Sequence, residues 1–86
     1  MTSEEFTHSA IQHIGSNIEN CRYDNIVLVW YCKTIQNHKG IFFDRGSNNF
    51  VEVTYNGDAK EMYLDFYKKE NKAIIKFAWH LIFILL

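Results

Sequence analysis

Proline is absent from this chain of 86 residues, and cysteine and glycine are scarce, with two and four copies. Without proline no backbone N–H is lost, so nothing in the composition interrupts a hydrogen-bonded sheet. The four glycines are scattered, which excludes a glycine-rich phosphate-binding loop ahead of a helix. Two cysteines are too few for the disulfide framework that stabilises a small secreted domain.

The scarcity of cysteine also bears on the compartment. We expect a protein of the cytoplasm with two free thiols, Cys21 and Cys32, although their spacing also permits a single disulfide bond. The first ten residues, MTSEEFTHSA, are acidic and polar and so differ from a secretory signal peptide.

An excess of one charge sign is missing as well, because the formal net charge is −1. The chain therefore has no global field that would attract nucleic acid or an anionic membrane, and either interaction would need a local patch. Hydrophobic residues make up 48% and aromatic residues 16% of the chain, which is too rich for disorder. A chain of this length is expected to form a single domain, residues 1–86, with a small core.

No apolar run is long enough for a membrane-spanning helix, which needs about 20 residues. Residues 73–86, AIIKFAWHLIFILL, come nearest and are interrupted by Lys76. The segment fits a buried closing strand, a terminal helix packed on a sheet, or a surface that meets a second copy or a partner. We favour a strand near residues 73–79, with the rest buried in the domain or in a homodimer.

The N-terminal sequence TSEEF predicts the start of a helix, because Thr2 and Glu5 have the spacing of a capping box. One apolar stripe then recurs at steps of three and four residues, as expected for a helix with one buried face. The stripe consists of Phe6, Ala10, Ile11, Ile14 and Ile18. We predict a helix over residues 1–20.

Residues 26–35, IVLVWYCKTI, are β-branched and aromatic and predict a strand in the centre of a sheet. On this strand Trp30 and Cys32 share one face, with Trp30 in the core, and Tyr31 and Lys33 share the other. The polar run QNHKG (36–40) predicts a turn, IFFD (41–44) a short strand, and RGSNN (45–49) a loop.

Alternation of apolar and polar residues is clearest in the stretch FVEVTYNGDAKEMYLDFYKK, which predicts a hairpin of two strands. Asn56-Gly57 favours a type I′ turn, although Asp58 and Ala59 allow a longer connection. The predicted fold is α+β, with an N-terminal helix packed on a four- to five-stranded antiparallel meander sheet (26–69). A C-terminal apolar strand or helix follows (73–86).

Residue types suited to chemistry occur without the spacing that chemistry needs. His8 and His13 are five apart and do not share a helix face, and Cys32 with His38 has no second pair at zinc spacing. Cys32, His38 and Asn37 are the residue types of a thiol enzyme, but a cysteine inside a central strand usually packs as a small hydrophobe. We therefore expect no enzymatic activity, no cofactor and no metal.

Aromatic and basic side chains outside the predicted core are candidates for partner binding, since exposed aromatic residues often anchor interfaces. Tyrosines flanked by lysines on an open sheet face also resemble the way some folds stack single-stranded bases, which we rank second. The candidate residues are Tyr31, Lys33, Tyr63, Tyr67, Lys68 and Lys69.

The blocks VWYCKTIQNHKG, VEVTYNGD and EMYLDFYKK together resemble a small family from phages and prophages of Gram-positive bacteria, catalogued as a domain of unknown function. The resemblance covers roughly residues 26–72, with a weaker helical stretch before it. Family members tend to stop soon after the equivalent of residues 73–77, whereas this chain continues with AWHLIFILL. No catalytic residue accompanies the resemblance.

The resemblance implies a setting, the cytoplasm of an infected bacterium. Small phage proteins without enzymatic motifs often act by binding a host protein, and this analogy of setting suggests the same here. The expected function is that of a phage accessory protein that binds and inhibits or redirects a host or defence protein, for example an anti-CRISPR or other anti-defence inhibitor. A homodimer through residues 73–86 is a further expectation, whereas a nucleic-acid partner is the second-ranked alternative and a membrane-proximal peptide anchored by the C-terminal segment ranks third.

Overall fold

A computed structural model describes residues 1–68, so Lys69 and the apolar segment 73–86 lie outside the described residues. The strands pair antiparallel in the order β1-β2-β3-β4, and the helix packs on one face of this open sheet. The predicted α+β class is confirmed. The elements are α1 (Ser3–Asn17), a 3₁₀ turn (Tyr23–Asn25), β1 (Ile26–Thr34), β2 (Asn37–Asp44), β3 (Asn49–Asn56) and β4 (Glu61–Lys68).

The helix α1 begins at the predicted capping box. The Glu5 backbone N–H donates to Thr2 Oγ1 at 3.1 Å, and the Thr2 N–H donates to Glu5 Oε1 at 3.0 Å. The helix continues through Gly15 and ends at Asn17, three residues before the predicted end. Gly15 allows the ring of Tyr23 to pack directly against the helix backbone, because a Cβ at this position would lie 2.2 Å from that ring.

The core lies between α1 and the sheet face that it covers. The predicted helical stripe and the predicted alternation of β3 are both confirmed, because both supply fully buried side chains. Full burial of a valine, isoleucine or phenylalanine side chain stabilises the fold by about 1.5–3 kcal/mol relative to leaving it exposed. The buried apolar residues are Phe6, Ala10, Ile14, Ile26, Phe42, Val51 and Val53.

The turn between β2 and β3 is held by a buried carboxylate. Asp44 is nearly inaccessible to solvent and accepts hydrogen bonds from the Gly46 N–H at 3.1 Å and the Ser47 hydroxyl at 2.6 Å. These bonds satisfy the charge that burial would otherwise penalise.

The prediction that residues 26–35 form a central strand is wrong for the described part of the sheet, in which β1 lies at one edge. The meander follows sequence order, so the first strand pairs only with β2 among residues 26–68. The strand β1 is rich in apolar residues because it carries apolar side chains on both of its faces, and not because it lies in the centre of the described sheet.

The assignment of Trp30 to the core is also wrong. A β-bulge lies between Leu28 and Trp30, where Leu28 pairs with Phe42 and Trp30 pairs with the next residue, Ile41. The extra residue shifts the alternation, so Tyr31 instead of Trp30 packs with the core. Trp30 is 48% exposed, and Cys32, predicted to be buried, is exposed on the same face.

The first turn lies earlier than predicted. The chain reverses at Ile35 and Gln36, and residues 37–40 belong to β2. Ile35 has a φ of 56° and is 86% exposed. Because a β-branched residue at positive φ is strained, the polar run QNHKG was the more natural prediction for the turn.

The predicted type I′ turn at Asn56-Gly57 is wrong, and the longer connection left open by the sequence is present. Residues 57–60 link β3 to β4, and the positive φ, 55°, falls at Lys60. Asn56 Oδ1 accepts from the N–H groups of Asp58 and Ala59 at 3.0 and 3.2 Å.

The tips of the two hairpins pack against each other at the same end of the sheet. The Gly57 N–H donates to Asn37 Oδ1 at 3.0 Å, and the Gln36 side-chain amide donates to Asp58. A Cβ on Gly57 would lie 2.2 Å from the carbonyl oxygen of Gln36, so this contact requires glycine.

Within residues 1–68, no helix is long and apolar enough to cross a bilayer.

Replacing Gly57 with alanine should lower the free energy of unfolding by about 1–3 kcal/mol, because the added methyl forces the two tips apart. Urea denaturation of the full chain measures the loss. Gly46→Ala is the matched control, since its Cβ would meet the flexible Asn25 amide at 3.2 Å and should cost less. Equal losses for the two variants would refute the tip contact.

Candidate partner-binding surface

The sheet face that α1 leaves open carries one complete row of apolar side chains. Val27 pairs with Phe43, Phe43 with Phe50, and Phe50 with Tyr67, so the row crosses all four strands. The rings of Phe43 and Phe50 lie with centroids 4.8 Å apart. Cross-strand neighbours of this kind contact one another directly, so the row is a continuous surface.

The bulge widens this row on β1. Val29, the extra residue, is 59% exposed, and Trp30 follows it on the same face, opposite Ile41. Val29 also lines a shallow concavity of about 450 Å³ together with Val27, Phe43, Phe50 and Arg45. We call the group Val27, Val29, Trp30, Ile41, Phe43, Phe50 and Tyr67 the apolar patch.

The apolar patch has charged borders of opposite sign. Arg45 lies at the end of β2, where its guanidinium donates to the Asp24 carbonyl oxygen at 3.1 Å. On the other side Glu52 lies opposite Asp65 on the neighbouring strand and forms an ion pair with Lys39, whose Nζ is 2.9 Å from Glu52 Oε1. The hydrogen bond and charge of Glu52 raise the pKa of Lys39.

Beyond this border the open face becomes polar. Cys32, Lys39, Thr54 and Tyr63 form the next row across the strands. The Tyr63 hydroxyl donates to the carboxylate of Glu61, which raises the pKa of Tyr63. The open face therefore changes along the strand direction from apolar to polar.

The described residues do not bring the predicted partner-binding residues together. Tyr63 and Tyr67 share the open face, as predicted. Tyr31 is half-buried against the core. Lys33 pairs with His38 and Lys68 pairs with Asn49, so both lysines lie on the helix-covered side. Lys69 lies outside the described residues.

Sequence reasoning missed Val27, Val29, Phe43 and Phe50 as surface residues. The signal for Phe50 was present, because it alternates with the buried Val51 and so belongs to the opposite face. The signal for Val29 was absent, since a bulge inside an unbroken apolar run leaves no pattern to read.

The helix-covered face holds a polar pair made of the buried His38 and the half-buried Tyr31. The Tyr31 hydroxyl and His38 Nδ1 share a hydrogen bond of 2.5 Å, and the Phe6 ring stacks on the imidazole at 5.3 Å. His38 is 1% exposed. Burial lowers the pKa of His38, and the charge of Lys33 acts in the same direction.

The Cys32 thiol is separated from His38, the histidine that lies near it in the sequence. Cys32 pairs with Lys39 and faces the open side, whereas His38 points to the core, so the two lie on opposite faces. Burial and the nearby carboxylate of Asp44 raise the pKa of Cys21, which disfavours its thiolate form. Among residues 1–68, no three His, Cys, Asp or Glu side chains form a group that could hold a metal ion.

Comparison with known families gives a match over most of the chain. A model described as a family of unknown function (DUF6275) matches residues 1–77, which include α1 and the three sequence blocks. The curated proteins and the solved structures gave no match. The expected domain of unknown function is thus confirmed.

Replacing Tyr31 with phenylalanine should lower the free energy of unfolding by about 1–3 kcal/mol, because it leaves buried His38 Nδ1 without a partner. Chemical denaturation measures the change. Tyr63→Phe is the control, since it removes a hydroxyl whose hydrogen bond is exposed, and we expect no measurable loss. A Tyr31→Phe variant as stable as the control would contradict a buried pair.

Stability should fall on acidification below about pH 6.5, because the unfolded chain binds a proton to His38 more readily than the folded chain does. The slope contributed by this group is at most about 1.4 kcal/mol per pH unit, between the lowered folded pKa and the unfolded value. The double variant Tyr31→Phe/His38→Phe removes the group without orphaning its partner. Urea unfolding at several pH values should show a flatter profile for this variant, and an unchanged profile would exclude His38 as the cause.

Proposed function

The chain belongs to a family of unknown function (DUF6275), and from that premise we propose that it is a non-enzymatic phage accessory protein. It binds a host or defence protein in the bacterial cytoplasm and inhibits or redirects it. An anti-CRISPR or other anti-defence inhibitor is the sharpest form of this proposal. The phage setting rests on the resemblance of the sequence blocks.

The apolar patch is the observation that carries the proposal. A soluble monomer rarely exposes a contiguous apolar surface of this kind unless the surface binds something. Trp30 and Tyr67, 48% and 55% exposed, belong to the residue types that supply most binding energy at interfaces. The charged border formed by Arg45 and Glu52 resembles the polar rim of a protein–protein interface.

The separation of reactive groups supports a binding role over a catalytic one. A nucleophile and its base must lie within hydrogen-bond reach of each other. Cys32 and His38 face opposite sides of the sheet, so this requirement is not met by the pair that the sequence offered.

A nucleic-acid-associated module that binds single strands is the second candidate. Its support is the exposure of Tyr63 and Tyr67 on one sheet face, where bases could stack. The charges near them weigh against it. On the open face, Glu52, Asp65 and Glu61 surround these tyrosines, and Lys39 is already paired with Glu52.

Affinity capture from host lysate with the tagged full chain tests the first candidate. We expect one dominant protein, lost with Phe50→Glu, which puts a charge into the apolar patch. The loss should be on the order of 30-fold, as expected for a buried anchor. Ile35→Glu is the matched control, because Ile35 is more exposed than Phe50 but lies at the hairpin tip.

Capture of no dominant protein, or equal capture by the Phe50→Glu variant, would count against this function or this surface. For the second candidate the probe is a labelled single-stranded oligonucleotide. Its binding should weaken steeply as salt rises and fall in Tyr67→Ala, which removes an exposed ring on which a base would stack. Salt-independent or undetectable binding would exclude the nucleic-acid role.

A further inference from the structure

The borders of the apolar patch make it complementary to itself, and we infer that it packs face to face against the patch of a second copy. The two-fold axis runs along the row Val27, Phe43, Phe50 and Tyr67. Each sheet then carries its helix on the outside, giving a four-layer α/β/β/α dimer. This interface is separate from the homodimer expected through residues 73–86.

The first argument is charge. Along the strands, Arg45 lies on one side of the row and Glu52 with Asp65 on the other. A two-fold axis along the row reverses the strand direction in the second copy. Because the axis places each strand over its own counterpart, each Arg45 lies over Ile41 of the other copy, with Glu52 on the neighbouring strand, whereas the like-charged borders stay apart.

The second argument is area. At about 200 Å² per aromatic side chain, Trp30, Phe50 and Tyr67 together expose roughly 300 Å² in each copy. Two copies thus bring about 600 Å² of aromatic surface, and Val27, Val29 and the charged borders extend it toward the roughly 1,200 Å² of a small specific interface. We expect a dissociation constant in the micromolar range.

The third argument concerns an alternative dimer, in which the β1 edges of two copies would pair with each other. An exposed edge strand can pair with the same strand of another copy, but bulges discourage such pairing because they interrupt the row of hydrogen-bonding groups. The bulge at Val29 lies in the middle of β1. It therefore weakens the edge as a contact while it enlarges the apolar patch.

The dimer does not depend on the proposed function, since purified protein forms it without any partner. The two uses of the patch would compete, so a host protein would have to displace the second copy. A monomeric protein that still captures a host partner would refute the dimer alone. A dimer that captures nothing would refute the proposed function alone.

Sedimentation equilibrium of the full chain between about 1 μM and 1 mM tests the dimer. We expect a monomer–dimer equilibrium whose dissociation constant rises at least 30-fold in Phe50→Glu and changes less than threefold in Ile35→Glu. Circular dichroism checks that each variant is folded. A monomer throughout this range, or a dimer indifferent to Phe50→Glu, would overturn the inference.

A charge reversal tests the orientation without touching the apolar row. Arg45→Glu should weaken the dimer about tenfold, and adding Glu52→Arg should restore most of the affinity. In the double variant Asp65 remains opposite position 52 and can accept the new cation. Failure of the second change to restore affinity would refute the proposed axis.

The exposed thiol of Cys32 can be labelled, so the distance between the two Cys32 residues of the dimer can be measured. Cys32 pairs with Lys39, four residues from Phe43 on β2, so it lies about 14 Å from the row at about 3.4 Å per residue. With sheets about 10 Å apart, the two Cys32 Cα atoms should be about 30 Å apart. Spin labels on Cys32 in a Cys21→Ser background measure this, and a distance below about 20 Å would indicate pairing of β1 edges instead.

Discussion

One extra residue in β1 decides the character of both faces of this sheet. The bulge at Val29 turns Tyr31 toward the helix and Trp30 toward the open side. Without it, simple alternation from Ile26 would place Trp30 and Cys32 in the core. The Tyr31–His38 pair and the exposure of Trp30 on the open face therefore have a common origin in the same local irregularity.

The small size of the chain gives this choice its weight. Within residues 1–68 a single helix packs on one face of a four-stranded sheet, and the helix and the strands together bury seven apolar side chains. Antiparallel sheets commonly expose a polar second face. Within residues 1–68 only one half of the second face is polar, so the burial of further apolar surface depends on a contact from outside these residues. The gradient along the strands, from Phe50 to Glu61, also limits where that contact can be made.

Local sequence patterns predicted the elements whose environment alternates regularly. The capping box at Thr2, the helical stripe from Phe6 to Ile14 and the strand β3 were predictable, because α1 and β3 each bury one face. The strand β4 was predictable from its alternation alone, since none of its residues is buried. The faces of β1 were not, because a run that is apolar on both sides has no period and hides a bulge. The first turn was misplaced because Ile35 adopts a conformation that composition rules assign to glycine or asparagine. The apolar patch was found only in part, since it joins residues from four strands.

The strained residue at the first hairpin tip has a consequence for how the molecule assembles. A left-handed backbone at a β-branched residue opposes closure of the β1–β2 hairpin by about 1–2 kcal/mol. The compensating hydrogen bonds from Gln36 and to Asn37 come from the other hairpin, through Asp58 and Gly57. The N-terminal hairpin is therefore not an autonomous unit, and its closure is coupled to the ordering of the connection that follows β3.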